Sequence, residues 1–167
     1  MNIRRATTAD AAALAEIAER TFRDTFAAQN SPEDLEAYVA TAYGEEKQRR
    51  EIESGTVTLL GESDDGELIA YTQMRRVRSP HGEVEIARFY VDRKHHGQGL
   101  AQQLMQAAYD TARELGATTI WLGVWERNLR AIAFYAKCGF VDVGSQPFLV
   151  GSDLQTDRVM SRVIPSS

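Results

Sequence analysis

The stretch Phe89-Tyr90-Val91-Asp92-Arg93-Lys94-His95-His96-Gly97-Gln98-Gly99-Leu100-Ala101 constrains this chain more than any other. An apolar strand runs through a polar turn into a glycine-punctuated helix, expected from about Gln98, with Leu100, Leu104, Ala108, Ala112 and Leu115 at helical spacing. A helix N-terminus leaves backbone N–H groups unpaired and carries partial positive charge. Glycines there let an anion approach the backbone closely, so the segment predicts a cradle suited to a pyrophosphate.

The flanking pattern decides what kind of sheet feeds that helix. Asn2–Ala6 predicts a short strand, and Thr7 with Asp10 a capping-box start to a helix bearing Leu14, Ile17, Ala18, Phe22 and Phe26. Ser31-Pro32 starts a second helix with Leu35, Tyr38, Val39 and Tyr43, closed by Gly44, and Glu45–Ser54 a short charged one. Strands then follow at Val57–Leu60, Leu68–Val77 and Val84–Val91 with turns but no helices between them, which predicts antiparallel hairpins. After the glycine turn come a strand at Thr118–Val124, a helix from Asn128 to Gly139, and closing strands at Phe140–Val143 and Asp157–Ile164. The expectation is one α/β (α+β) domain spanning residues 1–167, with a mixed, mostly antiparallel central sheet flanked by helices.

Composition narrows the partners. At 167 residues, 43% hydrophobic, the chain has the size and makeup of one globular domain. A net charge of −5 argues against nucleic acid and suits a cationic small molecule. Cys138 is the single cysteine, so neither an intramolecular disulfide nor a cysteine-based zinc site can form. His95 and His96 are adjacent in a turn, without the spaced ligands of a metal site, and no metal is expected. The opening residues carry no secretory h-region and no apolar run reaches membrane-spanning length. A cytoplasmic location without membrane association is therefore expected, and a homodimer is compatible with the sequence.

The glycine pair alone excludes two phosphate motifs. Gly99 is followed by Leu100-Ala101 rather than Lys-Ser/Thr, so this is not a P-loop. The hairpins before it also differ from the βαβ unit of a dinucleotide fold. The downstream segment Asn128-Leu129-Arg130-Ala131-Ile132-Ala133-Phe134-Tyr135-Ala136-Lys137-Cys138-Gly139-Phe140 supplies the context. Together the two segments resemble the GCN5-related N-acetyltransferase (GNAT) superfamily. Its cradle, Gln/Arg-x-x-Gly-x-Gly/Ala, falls on His96, Gly99 and Ala101. Its second signature, Asn-x-x-Ala-x-x-Phe-Tyr-x-x-x-Gly-Phe, matches at every specified position. Thr21–Phe26, Gln29–Glu33, Ile120–Glu126 and Gln155–Asp157 are further similar to the bacterial PaiA-type spermidine/spermine acetyltransferases.

The resemblance implies an acetyl-CoA-dependent N-acetyltransferase that moves an acetyl group to a primary amine, with a polyamine as acceptor. Another small-molecule or protein amine, or a non-catalytic acyl-CoA-binding regulator, are the alternatives. It implies that acetyl-CoA is held by Phe89, Tyr90 and Val91 as a strand-like rail, by His96, Gly97, Gln98, Gly99, Leu100, Ala101 and Gln102 as the cradle, and by Asn128 and Tyr135. Tyr135 is the expected general acid for the departing thiolate, although its stripe with Ala131 and Cys138 also fits a core tyrosine. Glu85 and Glu126 are the candidate bases, though each reads more readily as a solvated or paired carboxylate. The acidic run Glu33–Glu36 could attract a polycation or merely face water, and Trp125 could flank an aliphatic substrate or sit in the core. Cys138, before Gly139 on a helical stripe, reads as packing, which favours direct transfer over a covalent enzyme intermediate. His96 departs from the family's glutamine or arginine. It can still donate to phosphate, and its charge would make cofactor affinity rise at lower pH.

Overall fold

The computed structural model describes residues 1–165. Strand β1 (Asn2–Arg5) leads into helices α1 (Ala11–Phe26), α2 (Pro32–Ala42) and α3 (Glu45–Glu53). Strands β2 (Val57–Glu62), β3 (Leu68–Ser79) and β4 (Gly82–Val91) follow, then α4 (Leu100–Glu114), β5 (Thr119–Trp125) and α5 (Leu129–Lys137). A closing hairpin of β6 (Val141–Val150) and β7 (Asp153–Val163) completes the chain. The helix starts follow local chemistry. The Asp10 carboxylate accepts from the Thr7 N–H at 2.8 Å before α1, and the Ser31 hydroxyl accepts from the Asp34 N–H at 3.1 Å to cap α2.

The strands form one sheet in the order β1-β2-β3-β4-β5-β7-β6. Every neighbouring pair is antiparallel except β4 and β5. That parallel pairing joins only Val84–Ile86 to Ile120–Leu122, so the following residues of both strands run on without each other. A register shift between Gln73 and Met74 leaves Ala87 as the extra residue of a bulge at the point where β4 parts from β5.

Each face of the sheet carries its own core. On one, Leu14, Ile17, Phe22 and Phe26 of α1 pack with Leu35 and Val39 of α2 over Leu60, Tyr71 and Trp125. On the other, Met105, Ala108 and Ala112 of α4 and Tyr135 of α5 cover Met74, Ile86, Ile120, Leu122 and Met160. Leu104 adds the contact of α4 with Leu59 of β2 and Ala70 of β3.

Three boundaries differ from the sequence expectation. Helix α4 begins at Leu100 rather than near Gln98, because Gly99 stands at its N-cap in the left-handed region with φ 74°. Gly44 does not close α2; Tyr43 does, and Gly44 at φ 138° starts α3. The closing strands are longer than Phe140–Val143 and Asp157–Ile164, since β6 and β7 pair from Val141↔Ser161 to Val150↔Asp153 with one register shift between Asp142 and Gly144.

Leu104 is wholly buried and fixes the first turns of α4 to the sheet. Leu104→Ala is expected to cost about 3 kcal/mol in urea unfolding, with a loss under about 1 kcal/mol counting against this packing role.

Candidate active site

A cleft of about 830 Å³ runs from the glycine turn, between β4 and β5, to the aromatic side chains of α1 and α2. Its entrance is the start of α4. Gly97 and Gly99 take φ of 81° and 74°, and a Cβ on either would meet open space, so backbone conformation rather than crowding calls for glycine there. Among the described residues, the N–H groups from Gly97 to Gln102 have no protein acceptor; the first bond into the helix is Gln103 N–H to the Gly99 carbonyl at 3.3 Å. These free donors, backed by the helix dipole, make an anion cradle.

The free edge of β4 forms the next part. The Asp92 N–H donates to the Ile69 carbonyl at 2.8 Å, which makes Asp92 and, by alternation, Tyr90 and Arg88 the residues that bond to β3. Phe89 and Val91 therefore turn their N–H and C=O groups into the cleft. The Val91 carbonyl already has a partner there, His96 Nε2 at 2.8 Å. Asn128 caps α5 by accepting from the Ala131 N–H at 3.2 Å, and its side chain lines the cleft.

Tyr135 stands on the α4–α5 side of the parting strands, edge-on to Phe89 at 6.0 Å between ring centroids. Burial lifts its phenol well above the ordinary tyrosine range, so the hydroxyl keeps its proton at neutral pH. Tyr135 is 7% exposed and also lines the cleft. Cys138 lies outside the cleft, half-buried against the core beneath α4 and α5.

The opposite side holds a group that sequence reasoning did not select. Asp157 of β7 is 8% exposed and lines the cleft, paired in register with Trp125 of β5 and Gln146 of β6. Burial raises its carboxyl from 3.8 to about 6, partly offset by the Gln146 amide. Gly123, the first β5 residue beyond the pairing with β4, makes room for both: a Cβ there would lie 2.5 Å from Gln146 Nε2 and 3.0 Å from Asp157 Oδ2. Phe26 against Trp125 at 5.0 Å and Tyr38 against Phe148 at 5.4 Å wall this end. Trp125 thus serves both as core and as cleft wall.

The carboxylates named from sequence are placed differently. Glu85 lines the cleft but is paired with Arg75 at 2.5 Å. Glu126 is exposed and lies outside the main cleft, on a small depression with Arg127, Asp153 and Thr156. In the acidic run of α2, Asp34 accepts from the Ser152 N–H and hydroxyl at 2.7 and 2.8 Å, and Glu36 pairs with Arg23.

Asp157 also carries a stability signature. Its folded pKa lies above the unfolded value, so the native state binds more protons between roughly pH 4 and 6 and loses stability as pH rises through that window. Asp157→Asn is expected to raise unfolding free energy at pH 7.5 by on the order of 1–3 kcal/mol, an advantage that shrinks toward pH 4. Urea titrations at both pH values measure this, and a variant less stable than wild type at pH 7.5 would contradict it.

The sequence model of the acetyltransferase (GNAT) family matches residues 12–140. An uncharacterized N-acetyltransferase from the pepI 3′ region of Lactobacillus delbrueckii subsp. lactis is 33% identical over 153 residues, covering 89% of this chain and 88% of the relative. The spermine/spermidine N(1)-acetyltransferase of Bacillus subtilis is 32% identical over 69 residues, 41% of this chain and 45% of that protein. The crystal structure of the PaiA N-acetyltransferase from Thermoplasma acidophilum, in complex with coenzyme A, has the same fold, with TM-score 0.81 and 23% identity over 97% of this chain and 98% of that one. With a family match across both sides of the parting strands, this chain belongs to the acetyltransferase (GNAT) family and is an N-acetyltransferase.

Proposed function

We propose that the chain transfers the acetyl group of acetyl-CoA to a primary amine of a spermidine- or spermine-like polyamine, by direct attack of the amine on the thioester. The observation that carries this is the continuity of the cleft, which joins an anion cradle, a free strand edge and an aromatic, acidic chamber through the gap between β4 and β5. The Thermoplasma relative's coenzyme A and the Bacillus relative's polyamine name support the two substrates.

In this assignment the N–H groups of Gly97–Gln102 hold the pyrophosphate, and the outward groups of Phe89 and Val91 hold the pantetheine arm as an added strand would be held. The Phe89 N–H, nearer the parting point, stabilises charge on the acyl oxygen. The amine nitrogen forms the new bond to the acyl carbon as the carbon–sulfur bond breaks, and the Tyr135 phenol gives its proton to sulfur. With Cys138 outside the cleft, no cysteine stands where a covalent acyl-enzyme would form. Aromatic walls suit the methylene chain of a polyamine, because alkyl ammonium groups bind favourably over ring faces.

A thiol-release assay with spermidine, spermine, putrescine, aminoglycosides and lysine peptides tests the acceptor. Spermidine and spermine should give the highest kcat/KM; a lysine peptide or aminoglycoside exceeding both would refute the polyamine assignment. Tyr135→Phe should lower kcat about 100- to 1,000-fold, far more than it weakens acetyl-CoA binding. Parallel losses in both would show that Tyr135 only packs.

A further inference from the structure

We infer that Asp157 is the catalytic group that receives the acceptor's ammonium from the α1–α2 side of the sheet and takes its proton, granted the acetyl transfer proposed above, on which this inference rests.

Asp157 reaches over Gly123, where β4 and β5 part, so its carboxylate stands at the gap rather than at the mouth of the cleft. It extends from the sheet face covered by α1 and α2, whereas Tyr135 belongs to the core under α4 and α5. A thioester threaded through the gap would meet the nucleophile on one side and the proton donor for its leaving group on the other. Such an arrangement suits direct addition of the amine to one face of the thioester carbonyl, with the proton donor for the departing sulfur held apart from the nucleophile.

The other buried or half-buried carboxylates at or beside the cleft each have a cation: Glu51 pairs with Arg88 at 2.9 Å, Glu85 with Arg75 at 2.5 Å and Asp92 with Arg20 at 3.0 Å. Asp157 has none among the described residues; its polar neighbour is the uncharged Gln146. A buried carboxylate without a counter-ion is costly to keep, and an ammonium entering the aromatic chamber would supply the missing charge. The raised carboxyl pKa, about 6, fits the same role, because the group is ionised at neutral pH yet close enough to it to accept and release protons.

The groups packed directly around Asp157 are neutral or paired, while Arg93, His95, His96 and Arg130 line the cleft from the cradle and α5. Tyr38 of α2 faces Asp157, with a phenol that burial pushes above the usual range, so it stays neutral wherever Asp157 titrates. Gln146 of β6 and the Gly123–Trp125 backbone of β5 carry no charge, and the Arg88–Glu51 pair across the cleft is already matched. Asp24 of α1 is the remaining carboxylate on the cleft wall, and it is exposed.

The ammonium gives one proton to Asp157 and becomes an amine, whose lone pair forms the carbon–nitrogen bond. The carbon–sulfur bond breaks and sulfur takes the Tyr135 proton. The nitrogen then loses its surplus proton through water, which restores the phenol, and Asp157 releases its own to solvent as the one net proton of the reaction.

The test is kcat/KM for the best amine of the panel from pH 5 to 9, for wild type, Asp157→Asn and Asp157→Glu, with acetyl-CoA affinity measured by calorimetry. Asp157→Asn should lower kcat/KM about 100- to 1,000-fold, abolish the acidic limb near pH 6 and leave acetyl-CoA affinity within about twofold. Asp157→Glu, which keeps the carboxylate, should recover at least about tenfold of that loss and retain an acidic limb. An Asp157→Asn enzyme within about threefold of wild type, an unchanged acidic limb, or an equal loss of acetyl-CoA affinity would overturn the assignment. A wild type that acetylates no amine overturns the proposed function itself; an active wild type beside an equally active Asp157→Asn overturns Asp157 alone.

Discussion

The short parallel contact between β4 and β5 is the constraint on which the remainder depends. Only Val84–Ile86 and Ile120–Leu122 pair, and the bulge at Ala87 turns β4 away from its neighbour just beyond them. A sheet interrupted in this way would expose unpaired backbone on both inner edges. Here the interruption is sustained from outside. The first core holds α1 and α2 over Tyr71 and Trp125, the second holds α4 and α5 over Ile86 and Leu122, and neither requires the missing ladder. The free N–H and C=O groups of Phe89 and the N–H of Val91 are therefore available to an extended ligand, which can complete the interrupted ladder much as a strand would, while the Val91 carbonyl is taken by His96.

Charge is distributed around the gap in two ways. Arg88 lies beneath the cleft, bonded to Glu51 of α3, to Gln73 and to the Ala42 carbonyl, and its guanidinium lies 5.0 Å from the Tyr43 ring centre. So many partners compensate its desolvation and tie the α2–α3 corner to β4, which makes this ion pair a structural one. Asp157 is the opposite case. It is buried to a similar degree with no cation, and its cost to the free protein is recovered only when a positive charge enters the chamber. A carboxylate buried in this way costs folding stability above its pKa, and the raised value follows from that burial.

Much of the scaffold was legible because its signals are local. The Ser31-Pro32 cap, the Asn128 cap, the glycine turn and the helical stripe from Leu100 each depend on residues within a few positions of one another. The closing hairpin was not. Gly144, Pro147 and Gly151 punctuate β6 and its turn in a way that reads as loop, yet β6 is the last strand of the sheet, where Pro147 needs no second ladder partner. Missing that hairpin also hid Asp157. A carboxylate in an alternating strand reads as solvent-facing, and its burial arises only when β6 lies alongside it and α2 closes over the same face through Tyr38 and Phe148. The candidate bases drawn from the sequence were plausible by neighbourhood, but pairing with Arg75 engages Glu85, and the end of β5 turns Glu126 out of the main cleft.

The departure at His96 takes on a different meaning in this setting. Read from the sequence, the imidazole substitutes for a glutamine or arginine that would donate to phosphate. In the folded chain its Nε2 faces the Val91 carbonyl, an acceptor, so that nitrogen must carry the proton and Nδ1 is the atom left to face a ligand. The ring thus bridges the strand edge and the start of α4, fixing the turn between two glycines that by themselves would leave it loose. The N–H groups of Gly97–Gln102 remain free because none is needed to hold the turn in place. At this position the side chain contributes more by shaping the backbone donors than by adding one of its own. A cradle built from backbone N–H groups tolerates such an exchange, since the donors that grip the anion belong to no particular side chain.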